Sequence, residues 1–209
     1  GIARTRAEYK NLGPIREIEH LFLEQIARAK NFIYAENQYF ASPKIADAIA
    51  KRMAEKNPPE IIIVNPETAD GWLEQKAMDG ARVQLLRAIG KHDKQGKFSI
   101  YVPHTKMGAP IYVHAKLMIV DDEILRIGSA NMNNRSLGLD SECDIFINAK
   151  RPGNESAAPG IRMMRATLLA EHCGLSVEKV AQLLGSGTAM REIIENHSGN
   201  GRRLCLLEL

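Results

Sequence analysis

The sequence predicts an α/β fold, a mixed β-sheet covered by helices on both faces, with closing helices at its C-terminal end. Three observations carry this. Short runs of apolar and β-branched residues alternate with longer stretches whose apolar positions recur every three or four residues. Residues 60–65, beginning Glu60-Ile-Ile-Ile-Val, form a nearly continuous apolar run, the pattern of a strand buried on both faces. Residues 111–120 and 124–127 read as apolar strands joined by a tight turn at Asp121-Asp122-Glu123.

Each element can be justified in order. Residues 1–13 are polar and basic and read as a linker or the remnant of a preceding segment. From Pro14, apolar Ile15, Ile18, Leu21, Phe22, Ile26 and Ala29 keep the spacing of an amphipathic helix. Its other face mixes Arg16, Glu17, Glu24, Arg28 and Lys30, which favours packing on a sheet over lying on a membrane. Residues 31–38 form a strand that ends in Glu36, Asn37 and Gln38, and ligands gather at the carboxyl ends of strands in open α/β sheets. Pro43 opens a helix to about residue 56, where Pro58-Pro59 breaks it.

After the strand at 60–65 and a loop at 66–71, Trp72 heads a helix to about residue 92, in which Met78 and Leu85 have core spacing. Gly96 precedes a strand at 98–102, and residues 103–110, with His104 and Lys106, read as a solvated loop. Residues 132–140 are a polar connection, 141–148 a final strand, and 150–159 a surface loop. Helices follow at 160–173, at 177–184 behind a Ser176 cap, and at 192–196, with 198–203 loose. This divides the chain into a preceding segment (1–13), a main body (14–150) and a C-terminal helical extension (151–209).

The composition, 44% hydrophobic and 25% charged over 209 residues, is that of a soluble globular chain. A net charge of +3 does not demand nucleic acid, and it would not repel a phosphate-rich surface. Cys143, Cys173 and Cys205 form no metal pattern and leave an odd thiol, so buried thiols in a reducing compartment are the expectation. No run approaches the roughly twenty apolar residues that span a bilayer. No secretory signal is present, and Gly1 in place of Met suggests an excised or processed piece.

One constellation carries chemistry. Side chains alternate across a strand, so within residues 111–120 His114 and Lys116 are expected on one face. Gly128, Ser129 and Asn131 follow the second strand, where a Gly-led loop can aim backbone N–H groups at an anion. Imidazole, ammonium, hydroxyl, amide and glycine turn together suit a phosphate ester. His-x-Lys alone means little, since His92-Asp-Lys94 and His104-Thr-Lys106 repeat it. Only His114-x-Lys116-x4-Asp121 is complete, and only it continues into Gly128-Ser129-x-Asn131 and Glu142. Asp121 has the opposite parity to His114 and reads as structural, holding the turn and neighbouring backbone.

These residues resemble the HxKxxxxD signature of the phospholipase D superfamily, with the Gly-Ser-x-Asn and downstream acid that accompany it there. Ile33-Tyr-Ala-Glu-Asn-Gln-Tyr-Phe40, Ile111 to Asp121 and Asn134 to Asp144 are similar to the C-terminal half of bacterial phospholipase D enzymes. The resemblance covers roughly residues 14–170. It implies catalytic roles for His114, Lys116, Asn131 and Glu142, and phosphate contacts from Gly128 and Ser129. It also implies a substrate pocket near Glu36, Asn37 and Gln38 and a lipid contact at Trp72. Neither a metal nor another cofactor is implied.

One His cannot easily both attack phosphorus and protonate the leaving alkoxide on the opposite side of an in-line displacement. The family pairs two facing motifs: one His forms a phosphohistidine, and the other protonates the leaving alcohol and later activates water or an acceptor alcohol. In that scheme His114 is the general acid/base and Glu142 orients an imidazole. Only one complete motif is present here, so the partner is the N-terminal half of a longer enzyme or, as in small single-motif nucleases, a second copy; the former is favoured.

The implied substrate is a phospholipid at a membrane surface. Nucleic acid enters only under the homodimeric alternative, and a third reading is a half that binds phosphate head groups without turnover. The implied location is bacterial, cytoplasmic or peripheral to the inner membrane rather than secreted.

Overall fold

The computed structural model describes residues 1–68, 72–197 and 199–207, with the backbone alone for residues 72–79. A nine-stranded sheet runs through the molecule. Within it β3 (Phe32–Asn37) is flanked on one side by β5 (Glu60–Val64) and β6 (Phe98–His104), parallel to one another and to β3. On the other side follow β7 (Lys116–Val120), β8 (Ile124–Gly128), β10 (Glu142–Asn148), β1 (Ile2–Arg6) and β2 (Ile15–Arg16), all antiparallel. β11 (Arg203–Leu206) closes the far edge, antiparallel to β6. A separate short pair joins β4 (Phe40–Ala41) to β9 (Met132–Asn133).

Strand alternation sorts the apolar residues into two cores. Ile33, Ala35, Ile61, Ile63, Met118 and Val120 face α1 (Glu17–Arg28), α2 (Pro43–Met53) and α3 (Trp72–Gly90), which contribute Ile18, Phe22, Ile26, Ile45, Ile49, Leu86 and Ile89. Tyr34, Ile62, Val64, Ile119 and Leu125 face α5 (Ala157–Cys173), α6 (Val177–Gly185) and α7 (Met190–Asn196), which contribute Leu169, Val180, Ile193 and Ile194. The α/β architecture with helices on both faces is therefore as the periodicity predicts. The helical cover is incomplete: Ile2, Ile145 and Ile127 lie side by side across β1, β10 and β8, and all three are exposed.

Caps follow the local chemistry. Ser42 accepts from the Ile45 N–H ahead of Pro43, and Ser176 accepts from the Lys179 N–H at the start of α6. The turn after β7 places Asp121 and Asp122 at positive φ, both 54°, and closes with Glu123 N–H donating to Val120 O at 2.9 Å. Aspartate tolerates this left-handed region better than most residues.

Four sequence expectations are corrected. Residues 1–13 are not simply a linker, because β1 inserts into the main sheet between β10 and β2. Ala3 and Thr5 are buried in alternation, and Arg4, which made the segment look solvated, pairs with Glu17 at 2.7 Å. The closing helices are not an appendage, because they form the whole helical layer on one face. Of the stretch expected loose at 198–203, residue 198 lies outside the described residues, and 199–203 lead into β11, its register set by Arg203 opposite His104.

The fourth correction touches the site. The strand expected over residues 111–120 begins only at Lys116. Its neighbour β3 ends at Asn37, opposite Lys116, so residues 111–115 have no ladder to join and instead lean on β6 through Ile111 N–H to Pro103 O. Among the described residues no helix is long and apolar enough to cross a membrane.

Candidate active site

Strand direction collects the motif at one end of the sheet. β3 ends at Asn37 and β8 at Gly128, whereas β7 begins at Lys116 and β10 at Glu142. The register Asn37↔Lys116 and Gly128↔Asp144 brings all four strand ends together. His114 stands exposed in the segment leading into β7, so its position does not follow from strand alternation.

Gln38 is the hub. Its Oε1 accepts from Lys116 Nζ at 2.9 Å and from Asn131 Nδ2 at 3.4 Å. Its Nε2 donates to Tyr112 Oη at 2.8 Å and Tyr39 Oη at 3.2 Å. Lys116 Nζ also donates to the backbone carbonyl of His114 at 2.9 Å. Two donors suited to a phosphoryl oxygen thus converge on one amide oxygen, beside the backbone of His114. Burial lowers the Lys116 pKa below the ordinary lysine range, and the nearby Glu142 carboxylate opposes that shift. Ser129 Oγ donates to Glu142 and accepts from the Cys143 N–H at 3.1 Å.

In the loop after β8 three backbone N–H groups are engaged within the fold. Ser129 N–H donates to Cys143 O at 3.3 Å, Ala130 N–H to Asp144 Oδ1 at 3.1 Å, and Met132 N–H to Asn37 Oδ1 at 3.0 Å. The side-chain donors that converge beside this loop are Lys116 Nζ and Asn131 Nδ2. Packing demands glycine at 128: a Cβ there would lie 1.9 Å from Asp144 Oδ1 and 2.5 Å from Asp144 Cα. Gly128→Ala is expected to cost about 2 kcal/mol or more by overpacking. That corresponds to a fall in Tm of about 5 °C in a chain of this size. An unchanged melting curve would remove that constraint.

The residues at the end of β3 divide. Gln38 joins the cluster. Asn37 is fully buried and ties β3 to the neighbouring loops, its Oδ1 also accepting from the Tyr39 N–H at 3.2 Å and its carbonyl from Asn65 Nδ2 at 2.5 Å. Glu36 points to the other face, where it accepts from Tyr34 Oη at 2.7 Å and hydrogen-bonds His172 Nε2 at 3.1 Å. It does not line the cluster: like Tyr34 it faces α5, whereas Gln38 lies past the last residue of β3. The Trp72 side chain lies outside the described residues.

Asp121 sits at the opposite end of β7 from Lys116. Its carboxylate accepts from the N–H groups of Lys30, Asn31 and Phe32 at 2.7, 2.8 and 2.9 Å. Sequence reasoning missed Tyr112 and the buried pair Arg126–Asp144, joined at 2.6 Å and each 1% exposed. A single arginine in the apolar β8 and an aspartate inside β10 were the available signal. A cavity of about 110 Å³ lined by Pro66, Glu67, Thr68, Pro110, Ile111 and Tyr112 adjoins the cluster at Tyr112. A larger groove of about 500 Å³ between α1 and α2 contains no motif residue and has no evident part in this chemistry.

Residues 22–158 match the family model described as "Cardiolipin synthase, PLD-like domain", and the chain belongs to the phospholipase D superfamily. Among its relatives, phospholipase D alpha 1 of Nicotiana tabacum is 30% identical over 77% of this chain and 28% of its own length. Phospholipase D1 of Saccharomyces cerevisiae is 30% identical over 78% of this chain and 13% of its own. The chain therefore spans about a quarter of the plant relative and less of the yeast one.

Solved structures share the fold at low identity. Phosphatidylserine synthase of Haemophilus influenzae Rd KW20 superposes with a TM-score of 0.58 at 16% identity, over 89% of this chain and 44% of that one. Nuc of Salmonella typhimurium, a phospholipase D family member, gives 0.53 at 18% identity, over 79% and 90%.

Proposed function

We propose that this chain is the C-terminal catalytic half of a metal-independent phospholipase D-type enzyme, cleaving or transferring the phosphodiester of a phospholipid. The observation that carries this reading is the convergence of Lys116 and Asn131 on one oxygen position beside the His114 backbone. In this reading a phosphoryl oxygen takes the place now held by Gln38 Oε1. Such preorganised donors stabilise charge on the non-bridging oxygens, and losing one typically costs about 10²–10³ in rate.

A second motif supplies the facing imidazole. That imidazole attacks phosphorus as the bond to the leaving alkoxide breaks, and His114 gives the alkoxide its proton. Neutral His114 then takes a proton from water or an acceptor alcohol, whose oxygen displaces the first imidazole from phosphorus. Two features support a missing wall: His114 is exposed, and the Glu142 carboxylate contacts Ser129 rather than an imidazole of this chain.

Turnover of phosphatidylcholine vesicles by the isolated chain and by its parent polypeptide, with the solution mass of each, tests the reading. An active parent and an inactive isolated monomer are expected, with activity unchanged by EDTA. Turnover by a strict monomer of this chain would overturn the need for a second motif. One alternative, a homodimeric phosphodiesterase, would be revealed by the same experiment as an active dimer.

The lowered Lys116 pKa gives a pH prediction. A depressed ammonium loses its proton, and its hold on a phosphoryl oxygen, at a lower pH than an ordinary lysine. The alkaline limb of the rate profile is expected below the usual lysine titration, and Lys116→Arg should move it upward. A limb that stays in place would take Lys116 out of phosphate binding.

A further inference from the structure

Beneath the loop that carries Ser129 and Asn131 lies an ion pair the reaction scheme does not use. Asp144 accepts twice: Oδ2 from Arg126 Nη1 at 2.6 Å, and Oδ1 from the Ala130 N–H at 3.1 Å. Ala130 is the residue between Ser129 and Asn131 and is fully buried. The Asp144 side chain fits only because Gly128 has no Cβ. On the other side the Arg126 guanidinium stacks on the Phe22 ring of α1, 3.3 Å from its centroid. Burial pushes the Arg126 pKa down to about 10, and its Nε and Nη2 have no hydrogen-bond partner among the described residues.

A buried pair of this kind rarely adds net stability over an apolar substitute of similar volume. A bare carboxylate under a phosphate site would also repel the substrate. Arg126 cancels that charge and fixes the rotamer of Asp144, which leaves Oδ1 aimed at the Ala130 N–H. We infer that Arg126 and Asp144 are positioning residues of the anion-binding loop, acting through the Ala130 N–H to set where Asn131 and Ser129 stand. The inference rests on the proposed phosphodiesterase reading and names residues that reading does not require.

Two double variants separate positioning from bulk structure, and each removes both charges so that neither is left buried alone. Arg126→Met with Asp144→Asn keeps an oxygen within reach of the Ala130 N–H; Arg126→Met with Asp144→Ala does not. Both are compared with the unsubstituted chain for Tm and for the Kd of inorganic phosphate, followed by NMR at the Asn131 side-chain amide. In the parent polypeptide, kcat and KM are read on bis(p-nitrophenyl) phosphate.

The two variants are expected to melt alike. The Asn-bearing one should keep kcat and phosphate Kd within about threefold, and the Ala-bearing one should lose about 10–100-fold in kcat, as small misplacements do. Equal behaviour of the two variants, whether unimpaired or impaired, overturns the assignment. If even the unsubstituted protein neither binds phosphate nor turns over the ester, the functional reading falls. Hydrogen exchange at Ala130 and the Asn131 amide then decides the positioning role: acceleration of about tenfold or more in the Ala-bearing variant alone retains it, and equal rates remove it.

Discussion

Replacing His114 with asparagine is expected to lower phospholipid turnover by the parent polypeptide by at least about 10³-fold, as loss of an essential acid or base does. The side chain is exposed and, among the described residues, no hydrogen bond holds its ring, so Tm should stay within about 2 °C, the range of surface changes. Choline release from phosphatidylcholine vesicles measures the first quantity and thermal unfolding the second. Together they separate a chemical role from a structural one. A variant that melts normally and releases choline near the original rate would remove His114 from the mechanism. A variant that fails to fold would instead mean that the segment before β7 is held by that ring.

How much of this was legible in the sequence depends on how local the cause is. His114, Lys116 and Asp121 lie within eight residues, so the motif can be read from the chain itself. The helix-covered sheet follows from the continuous apolar run of β5 and the three-to-four spacing of α1, which need no knowledge of partners. β1 fails that test, because its pairing with β10 spans some 140 residues and its Ala3 and Thr5 are weakly apolar. β11 likewise depends on finding β6. Ile111 to Ala115 carry strand-like residues, yet the neighbouring β3 stops at Asn37, and a strand without a ladder does not form. In the site, Gln38 reads as one polar residue among several, and only the folded chain makes it the acceptor shared by Lys116 and Asn131. Glu36 has the same polar character and the same parity two residues away, so alternation would have placed the two together; they part because β3 ends at Asn37, before Gln38. Gly128 reads in the sequence as the head of an anion-binding loop, and the packing demand that Asp144 places on it is visible only in the fold.

Asp121→Ala is expected to produce the largest loss of stability in the chain, about 3–5 kcal/mol, because three hydrogen bonds to a charged acceptor go at once. Lys30, Asn31 and Phe32 would each lose their carboxylate partner, and the short connection from α1 to β3 would have to find water. A further cost of about 1 kcal/mol comes from placing alanine at a φ of 54°. Tm should fall by about 10 °C or more at this chain length. Asp121→Asn should be milder. It tolerates the same backbone conformation, and its Oδ1 can still serve Asn31 and Phe32, while its amide group faces the Lys30 N–H with the wrong polarity. The expected order is therefore unsubstituted, then Asn, then Ala. Activity should not follow that order. Asp121 and Lys116 stand at opposite ends of β7, about 16 Å apart at a strand rise of about 3.3 Å per residue. Per folded molecule, the Asn variant of the parent polypeptide should keep its turnover within about twofold, read well below its melting temperature. A large loss of turnover in a fully folded Asn variant would place this carboxylate in the chemistry, against its position at the far end of the strand.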